Sequence, residues 1–255
     1  MLDVNQLSVE AGGRSILHDV SLHLNSGDTC IVFGPNGNGK TTLLMAIMGF
    51  PRYHITQGNI VFHDREITHL SLDERARMGI GMSFQRPPIV RGVKMRDMVN
   101  VSLGEHSFDG GEEGAVVVQL AEKANITALL DRDINYGFSG GEIKRSEIVQ
   151  LLAQQPGLSL LDEPESGVDL VSVPLMGRLI NELLEKHRHI RDRERMGIII
   201  SHTGRILDYV NARTGYLMLD GTIVCEGDPH EILETIKSRG YEECAKCMSE
   251  KSPTQ

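Results

Sequence analysis

Apolar and polar residues follow two different patterns along this 255-residue chain. In the first pattern they alternate, and the alternation at residues 2–9 and 20–24, on either side of a Gly-Gly turn, predicts two half-buried antiparallel strands. In the second, short continuous apolar runs at 29–33, 158–161 and 197–200 are typical of strands buried on both faces of a parallel sheet. Further strands are predicted at 58–63, 80–84, 216–219 and 222–225.

Helical periodicity fills the intervals between these strands. Apolar residues recur at helical spacing over 175–184, which predicts an amphipathic helix. Shorter helices are predicted at 71–78 and after Asp228, whose side chain can cap a helix that begins at the following proline. Over 89–135 amphipathic helices are separated by a Gly- and Glu-rich stretch at 104–114, and we interpret this region as a second lobe. The fold class is therefore α/β.

Composition narrows the class of protein. A hydrophobic fraction of 40%, a charged fraction of 24% and the lack of any apolar run approaching about 18 residues exclude a membrane-spanning segment. Residues 1–4 run directly into a strand pattern rather than a secretion signal, so we expect a cytoplasmic location and no direct membrane insertion. A net charge of −9 argues against nucleic acid as a partner. Cys244 and Cys247 are interpreted as incidental thiols near an exposed C-terminus.

The strongest chemical signal follows the predicted strand at 29–33. The pattern G-x-x-x-x-G-K-[ST] leads from this strand into a helix-forming run, which is the context that a phosphate-binding loop requires. Glycines free the main-chain N–H groups to face a triphosphate, Lys40 can place its charge on the β- and γ-phosphates, and the Thr41 hydroxyl can ligate Mg²⁺. The predicted nucleotide-binding residues of this loop are Gly34, Pro35, Asn36, Gly37, Asn38, Gly39, Lys40, Thr41 and Thr42.

Polar side chains follow other predicted strands at the point where each one ends. Asp162 and Glu163 directly follow one buried run, His202 follows another, and Gln85 ends the strand at 80–84. Ligands of open α/β sheets gather at the carboxyl ends of the strands. We therefore expect Asp162, Glu163 and His202 near the phosphates.

Six motifs in order along the chain resemble those of ABC-type ATPases. The phosphate loop, Gln85 and residues 138–142, 160–163, 166–169 and 202 correspond to the Walker A loop, Q-loop, signature motif, Walker B strand, D-loop and H-loop of that family. The resemblance covers nearly the whole chain. It implies a nucleotide-binding domain with a mostly parallel P-loop sheet, an antiparallel β layer and a helical subdomain. The ATPase core would comprise 1–88 and 154–255, and the helical subdomain with the signature would comprise 89–153.

The resemblance also implies an ATP hydrolase that uses ATP and Mg²⁺. Asp162 would hold Mg²⁺ through water beside Thr41, and Glu163 would orient or deprotonate the attacking water. Gln85, also a metal contact, and His202 would sense the metal and the γ-phosphate, which completes a catalytic set of Glu163, His202 and Gln85.

A transient, ATP-dependent head-to-tail homodimer is a further implication of the resemblance. ATP on the phosphate loop of one subunit would be completed by Ser139, Gly140 and Gly141 of the other subunit. Taken alone, these three residues also fit a plain helix-start turn.

Within the family, the chain looks like the SufC-type ATPase of the SUF iron–sulfur cluster assembly system. The likeness lies in residues 85–93, 137–138, 142–148, 166–169 and 205–209. A ring-stacking tyrosine that many transporter ATPases carry before the phosphate loop would fall near Ala11, and its absence fits the SufC-type pattern. The implied partners are SufB- and SufD-like scaffold subunits, docked on the 89–135 lobe and the Gln85 loop.

Two other functions are weighed against cluster assembly. The ATP-binding subunit of an ABC transporter is the alternative, because residues 163–165 follow the general ABC form. An ATP-dependent clamp with vestigial hydrolysis is disfavoured, because Lys40, Asp162, Glu163 and His202 are intact. The charged run at 185–195 is interpreted as a solvated helix end or exposed loop.

Overall fold

Two β-sheets lie at the centre of the computed structural model, which describes residues 1–104 and 113–244. The strands are β1 (Leu2–Ala11), β2 (Arg14–Leu24), β3 (Thr29–Phe33), β4 (Tyr53–Phe62), β5 (Arg65–Glu66), β6 (Ile80–Ser83), β7 (Val90–Lys94), β8 (Asp133–Ile134), β9 (Leu158–Asp162), β10 (Met196–Ile200), β11 (Thr214–Leu219) and β12 (Thr222–Gly227). The helices are α1 (Lys40–Met48), α2 (Leu72–Arg77), α3 (Met95–Leu103), α4 (Glu113–Lys123), α5 (Gly140–Gln154), α6 (Val173–Leu183) and α7 (Pro229–Arg239).

The first sheet is antiparallel and has the strand order β2-β1-β4-β5. This confirms the antiparallel layer that the alternating pattern predicts. Strands β2 and β4 begin earlier than expected, at Arg14 and Tyr53, because each continues to pair with β1 as far as Ala11. Backbone pairing therefore extends both strands beyond their clearly alternating segments.

The second sheet carries the nucleotide-binding signals. Its strand order is β12-β11-β3-β10-β9-β6, parallel from β11 to β6, with β12 as an antiparallel edge. Every residue of β3, β9 and β10 is buried, which explains why their sequences read as continuous apolar runs. Because these strands are parallel, their carboxyl ends meet at one edge of the sheet.

The lobe predicted over residues 89–135 is only partly helical. Helices α3 and α4 are present, but Val90–Lys94 forms strand β7, which pairs antiparallel with β8. The prediction of helix from Ile89 onward is wrong at this point, because Gly92 has a φ of 81° and its N–H donates to Asp133 Oδ2 at 3.1 Å. Lys94 adds an ion pair with Asp133 at 2.7 Å. These contacts hold the segment extended.

Two hydrophobic cores lie on opposite faces of the parallel sheet. One fills the space between the two sheets and includes α1, with Leu43, Leu44 and Ile47 fully buried. The other joins the opposite face of the sheet to α3, α5 and α6, and it continues into the 89–135 lobe. The phosphate loop thus begins between two packed layers. Within residues 1–104 and 113–244, no helix has both the length and the apolar character needed to span a bilayer.

The charged run at 185–195 is exposed over most of its length, in agreement with the prediction, but it is anchored by one buried residue. Glu185 is 7% exposed, its Oε1 lies 3.1 Å from Arg188, and its Oε2 accepts the Glu194 N–H at 3.1 Å. Cys244, which is interpreted above as an incidental thiol near an exposed C-terminus, is buried. Cys247, the tail after residue 251 and most of the 104–114 stretch lie outside the described residues.

Candidate nucleotide-binding and hydrolysis site

The phosphate loop connects β3 to α1, as the sequence predicts. A Cβ atom on Gly34 would lie 2.2 Å from Met218 O of β11, so only glycine fits where the loop leaves the sheet. Gly39 is left-handed, with a φ of 91°, and begins α1 without a side-chain cap. The loop can therefore direct main-chain N–H groups and a helix N-terminus toward an anion.

Lys40 lies inside this loop and is 5% exposed. Its Nζ donates to Gly34 O at 2.8 Å and to Pro35 O at 2.7 Å. Burial lowers the pKa of Lys40 to about 8, against the opposing effect of Glu163 and Asp162. The Lys40 amine thus donates to carbonyls of its own loop. The charged phosphate oxygens of a nucleotide would be stronger acceptors for the same amine.

A cavity of about 430 Å³ opens above the loop. Asn38 braces the loop from outside this cavity, since Asp220 N–H donates to its Oδ1 at 2.6 Å. Ile16 of β2 lines the cavity, whereas Ala11, near which the family's stacking tyrosine would fall, is not among the lining residues. The cavity is lined by Ile16, Asn36, Gly37, Gly39, Lys40, Thr41, Thr42, Gln85, Arg86, Glu163 and His202.

Thr41 and Asp162, two of the three residues that the sequence predicts as Mg²⁺ contacts, lie next to each other. Thr41 Oγ1 donates to Asp162 Oδ2 at 2.9 Å, while the buried Asp162 Oδ1 has no hydrogen-bond partner among the described residues. Burial raises the pKa of Asp162, and the Thr41 hydrogen bond opposes this effect. Hard oxygen ligands and a buried oxygen without a donor fit Mg²⁺, which also takes phosphate and water ligands. No protein-only cluster of three or more His, Cys, Asp or Glu suited to a metal occurs in the part of the chain described.

Glu163 is the centre of the polar cluster at the sheet edge. Its Oε1 accepts from Gln85 Nε2 at 2.9 Å and lies 2.5 Å from His202 Nε2. Glu163 has a φ of 49°, and its N–H donates to Ile200 O at 3.1 Å. The structure thus brings together the three side chains predicted to be catalytic.

The predicted signature residues lie outside this cavity. Ser139 caps α5, where it forms a reciprocal capping box with Glu142. A Cβ atom on Gly140 would lie 2.9 Å from Gly167 O, so the signature segment packs closely on the D-loop segment of the same chain. Ser139, Gly140 and Gly141 therefore do not complete the nucleotide cavity of their own chain.

Two charged residues of α5 were not predicted as part of the site. Lys144 and Glu147 are 4% and 7% exposed. The Lys144 amine donates to Phe84 O and to Asp162 O. Glu147 Oε1 accepts the Phe84 N–H at 2.7 Å. They link the signature helix to the residue before Gln85 and to the Walker B strand. Their spacing, on the helix face that also carries Ile148, could have identified them as buried.

Comparisons with known proteins agree with this geometry. Residues 17–166 match the sequence model of the ABC transporter family. A Streptococcus pyogenes relative named "Probable ABC transporter ATP-binding protein" is 34% identical over 247 residues, which cover 94% of this chain and 93% of the relative. "Probable ATP-dependent transporter ycf16" of Cyanophora paradoxa is 33% identical over 253 residues, with coverage of 95% and 93%.

Solved structures show the same fold. A nucleotide-free ATP-binding cassette from an ABC transporter aligns with a TM-score of 0.76 and 26% identity, and the alignment covers 96% of this chain and 98% of the cassette. The dimeric cassette MJ0796, bound to ADP and Pi, aligns with a TM-score of 0.75 and 20% identity, with coverage of 90% and 99%. The fold, the phosphate loop and the family match lead to one conclusion: the chain belongs to the ABC transporter family and is an ATP-binding cassette that hydrolyses ATP.

Proposed function

We propose that Glu163 activates the water that attacks the γ-phosphate of ATP held on the loop Gly34–Thr42. The contact of Glu163 with both Gln85 and His202 carries this proposal, because it joins a candidate base to two groups that face the same cavity. Lys40 neutralises the β- and γ-phosphates, and His202 donates to the γ-phosphate once ATP separates it from Glu163. Thr41, Asp162 and Gln85 would hold Mg²⁺, which would neutralise charge that develops on the phosphates.

The second half of each ATP site comes from another copy of the chain. Ser139, Gly140 and Gly141 lie at the N-terminus of α5, where Ser139 and Gly140 are exposed, and they lie outside the cavity of their own chain. A fold relative, MJ0796, is described as dimeric. We propose a transient head-to-tail dimer that buries two ATP molecules. Residues 89–153 form the subdomain that carries the signature toward the partner, and 1–88 with 154–255 form the core.

The ATPase cycle drives a conformational change in an iron–sulfur cluster assembly scaffold of the SufB and SufD kind. Support comes from the SufC-like segment 142–148, which contains Lys144 and Glu147. Both side chains bind the backbone of Phe84, so they connect the signature helix to the residue that precedes Gln85. A cavity of about 200 Å³ lies between this helix and the 87–90 segment. Ile89 and Tyr136 are 58% and 49% exposed, and each is a sequence neighbour of a residue that lines this cavity. They offer an apolar surface for the scaffold.

The second candidate function is the ATP-binding subunit of a membrane transporter. The names of the relatives favour it, since they are described as ABC transporter ATP-binding proteins and ATP-dependent transporters. The same surface around Ile89 would then receive a membrane-embedded subunit. The two functions differ in the partner and share the ATPase chemistry.

Isolation of the native complex distinguishes these functions. The tagged chain is expected to copurify, without detergent, with scaffold subunits that lack membrane spans and that increase its ATPase rate. Ile89→Glu is expected to lose these partners, whereas Ile190→Glu, at a residue exposed to a similar 59%, keeps them. Recovery of a membrane-spanning partner only from detergent extracts would replace the first function by the second.

A further inference from the structure

A second carboxylate lies beside the Glu163–His202 contact, on the segment that joins β9 to α6. Glu165 is 9% exposed, and the roles proposed above do not use it. Its Oε1 accepts hydrogen bonds from the hydroxyls of Ser201 and Thr203, the second at 3.4 Å. These two residues flank His202 in the sequence. One carboxylate oxygen therefore ties both sides of the histidine to the segment that follows Glu163.

Further hydrogen bonds make this loop rigid. Ser201 is fully buried, and its Oγ also accepts the Gly204 N–H at 2.9 Å. Thr203 Oγ1 accepts the Arg205 N–H at 3.3 Å. Both hydroxyls thus serve as acceptors for the loop backbone while they donate to Glu165. Removing the carboxylate would leave each hydroxyl without its acceptor.

We propose that Glu165 is a positioning residue for ATP hydrolysis. Through the two flanking hydroxyls it holds the backbone on both sides of His202, and so keeps the imidazole within reach of Glu163 and of the γ-phosphate. The inference rests on the role of His202 proposed above. Misplacement of such a group by about 1 Å can lower a rate by about 100-fold.

Glu165 also lies beside the D-loop segment, residues 166–169. Glu165 Oε2 is buried, has no hydrogen-bond partner among the described residues, and belongs to a residue that lines a cavity of about 220 Å³ with Gly167 and Val168. The D-loop segment is also the one that Gly140 of the signature approaches. Glu165 therefore lies between the signature contact and the histidine loop.

Glutamine is the informative conservative substitute. Burial raises the pKa of Glu165, against the effect of the Ser201 hydrogen bond, and an uncharged carbonyl oxygen can still accept from both hydroxyls. Glu165→Gln is expected to keep kcat within about threefold of wild type. Glu165→Ala is expected to lower kcat about 10- to 100-fold, with the Kd for ATP changed less than about threefold. Asp208→Ala, which removes an exposed carboxylate near the same loop, controls for loss of charge.

A double-mutant cycle with His202→Ala closes the test. If Glu165 acts through His202, Glu165→Ala lowers kcat by less than about twofold in the His202→Ala background. An equal loss in both backgrounds, or a Gln variant as slow as the Ala variant, would overturn the inference. If Glu165→Ala fails to fold, Ser201→Ala takes its place in the cycle with the same expectations. A wild-type rate in His202→Ala alone would instead overturn the role proposed for His202.

Discussion

Single residues at the sheet edge pair the charged groups of the ATP site. Lys40 donates to two carbonyls of its own loop, and Glu163 occupies a left-handed conformation while it contacts Gln85 and His202. Each charged group thus has a hydrogen-bonding or ionic partner within the site. A buried charge without such a partner would be costly.

Loss of the Lys40 amine is expected to abolish tight ATP binding while the fold survives. Lys40→Ala removes the fixed cation from the β- and γ-phosphates, but leaves the glycine-rich loop intact. Calorimetric titration should show at least about 100-fold weaker binding, which corresponds to about 2.7 kcal/mol. Lys237→Ala, an exposed lysine on α7, is the matched control. Near-normal affinity of Lys40→Ala would contradict the role assigned to the amine.

The base of the nucleotide is expected to be held loosely. Ile16 lines the cavity, and among its described lining residues there is no Tyr, Phe or Trp on which a base could stack with a gain of about 1–3 kcal/mol. GTP should therefore bind within about 100-fold of ATP in competition titrations. Ile16→Tyr should tighten ATP binding about 5- to 100-fold, whereas Val101→Tyr, at an exposed site on α3, should not. A preference for ATP above about 1000-fold would mean that another side chain recognises the base.

At the scale of elements, a buried arginine fixes the far end of the phosphate-loop helix. Arg75 of α2 is 2% exposed, and its pKa is lowered to about 10 by burial. Within the described part of the chain, its guanidinium donates to four main-chain carbonyls, those of Ala46, Ile47, Thr68 and Leu70, at 2.7 to 3.0 Å. It thereby donates to two carbonyls in the last turn of α1, those of Ala46 and Ile47, where a helix leaves backbone acceptors without intrahelical partners.

Arg75→Met is expected to lower the free energy of unfolding by at least about 3 kcal/mol, because several buried carbonyls would lose their donors. Urea unfolding at constant m-value measures this change. Arg77→Met on the same helix, with 78% of its side chain exposed, should change stability by less than about 0.5 kcal/mol. A loss below about 1 kcal/mol for Arg75→Met would show that water reaches these carbonyls.

The stability that Glu147 of α5 provides through its contact with Phe84, next to Gln85, is expected to depend on pH. Burial raises the pKa of Glu147 to about 7 from an ordinary value near 4.5, against the effect of Lys144. The native state then binds more protons than the unfolded chain between these values. The contribution of Glu147 to the free energy of unfolding is complete below about pH 4.5. It is lost as the pH rises through 7, and the loss amounts to up to about 3 kcal/mol. Glu147→Gln should flatten this part of the unfolding profile, whereas Glu234→Gln, at an exposed position, should leave it unchanged.

At the scale of the whole molecule, assembly and hydrolysis are expected to be coupled. Glu163→Gln keeps the shape of the side chain but removes the base, so two ATP molecules should persist between subunits. Hydrolysis should fall at least about 100-fold, as is typical when a general base is lost. Sedimentation should show a dimer of the variant with Mg-ATP and a monomer without it, while the wild type remains mostly monomeric.

Ser139→Arg provides the control for this dimer. A bulky cation at the start of α5 should block the head-to-tail contact and return the Glu163→Gln variant to a monomer. If Glu163→Gln alone shows no change in mass with Mg-ATP, the isolated chain does not form the proposed dimer. Repeating the comparison in the scaffold-bound complex would then show whether the scaffold is needed.

Local sequence determined the ATP-binding elements of this protein. The phosphate loop, the buried strands β3, β9 and β10, and the positions of Asp162, Glu163 and His202 at the sheet edge followed from glycine spacing and from continuous apolar runs. These signals are local because a phosphate loop needs fixed spacing and a strand buried on both faces needs apolar side chains throughout.

Tertiary structure decided what depends on contacts between distant segments. Pairing with β8 made an extended strand of Val90–Lys94, and β2 placed Ile16, rather than Ala11, against the nucleotide cavity. Only the packing of α5 on the sheet buried Lys144 and Glu147, and only the meeting of parallel strand ends brought Glu165 to the residues that flank His202. These contacts join residues far apart in the chain, so local periodicity can indicate that a side chain is buried but not which distant residue it contacts.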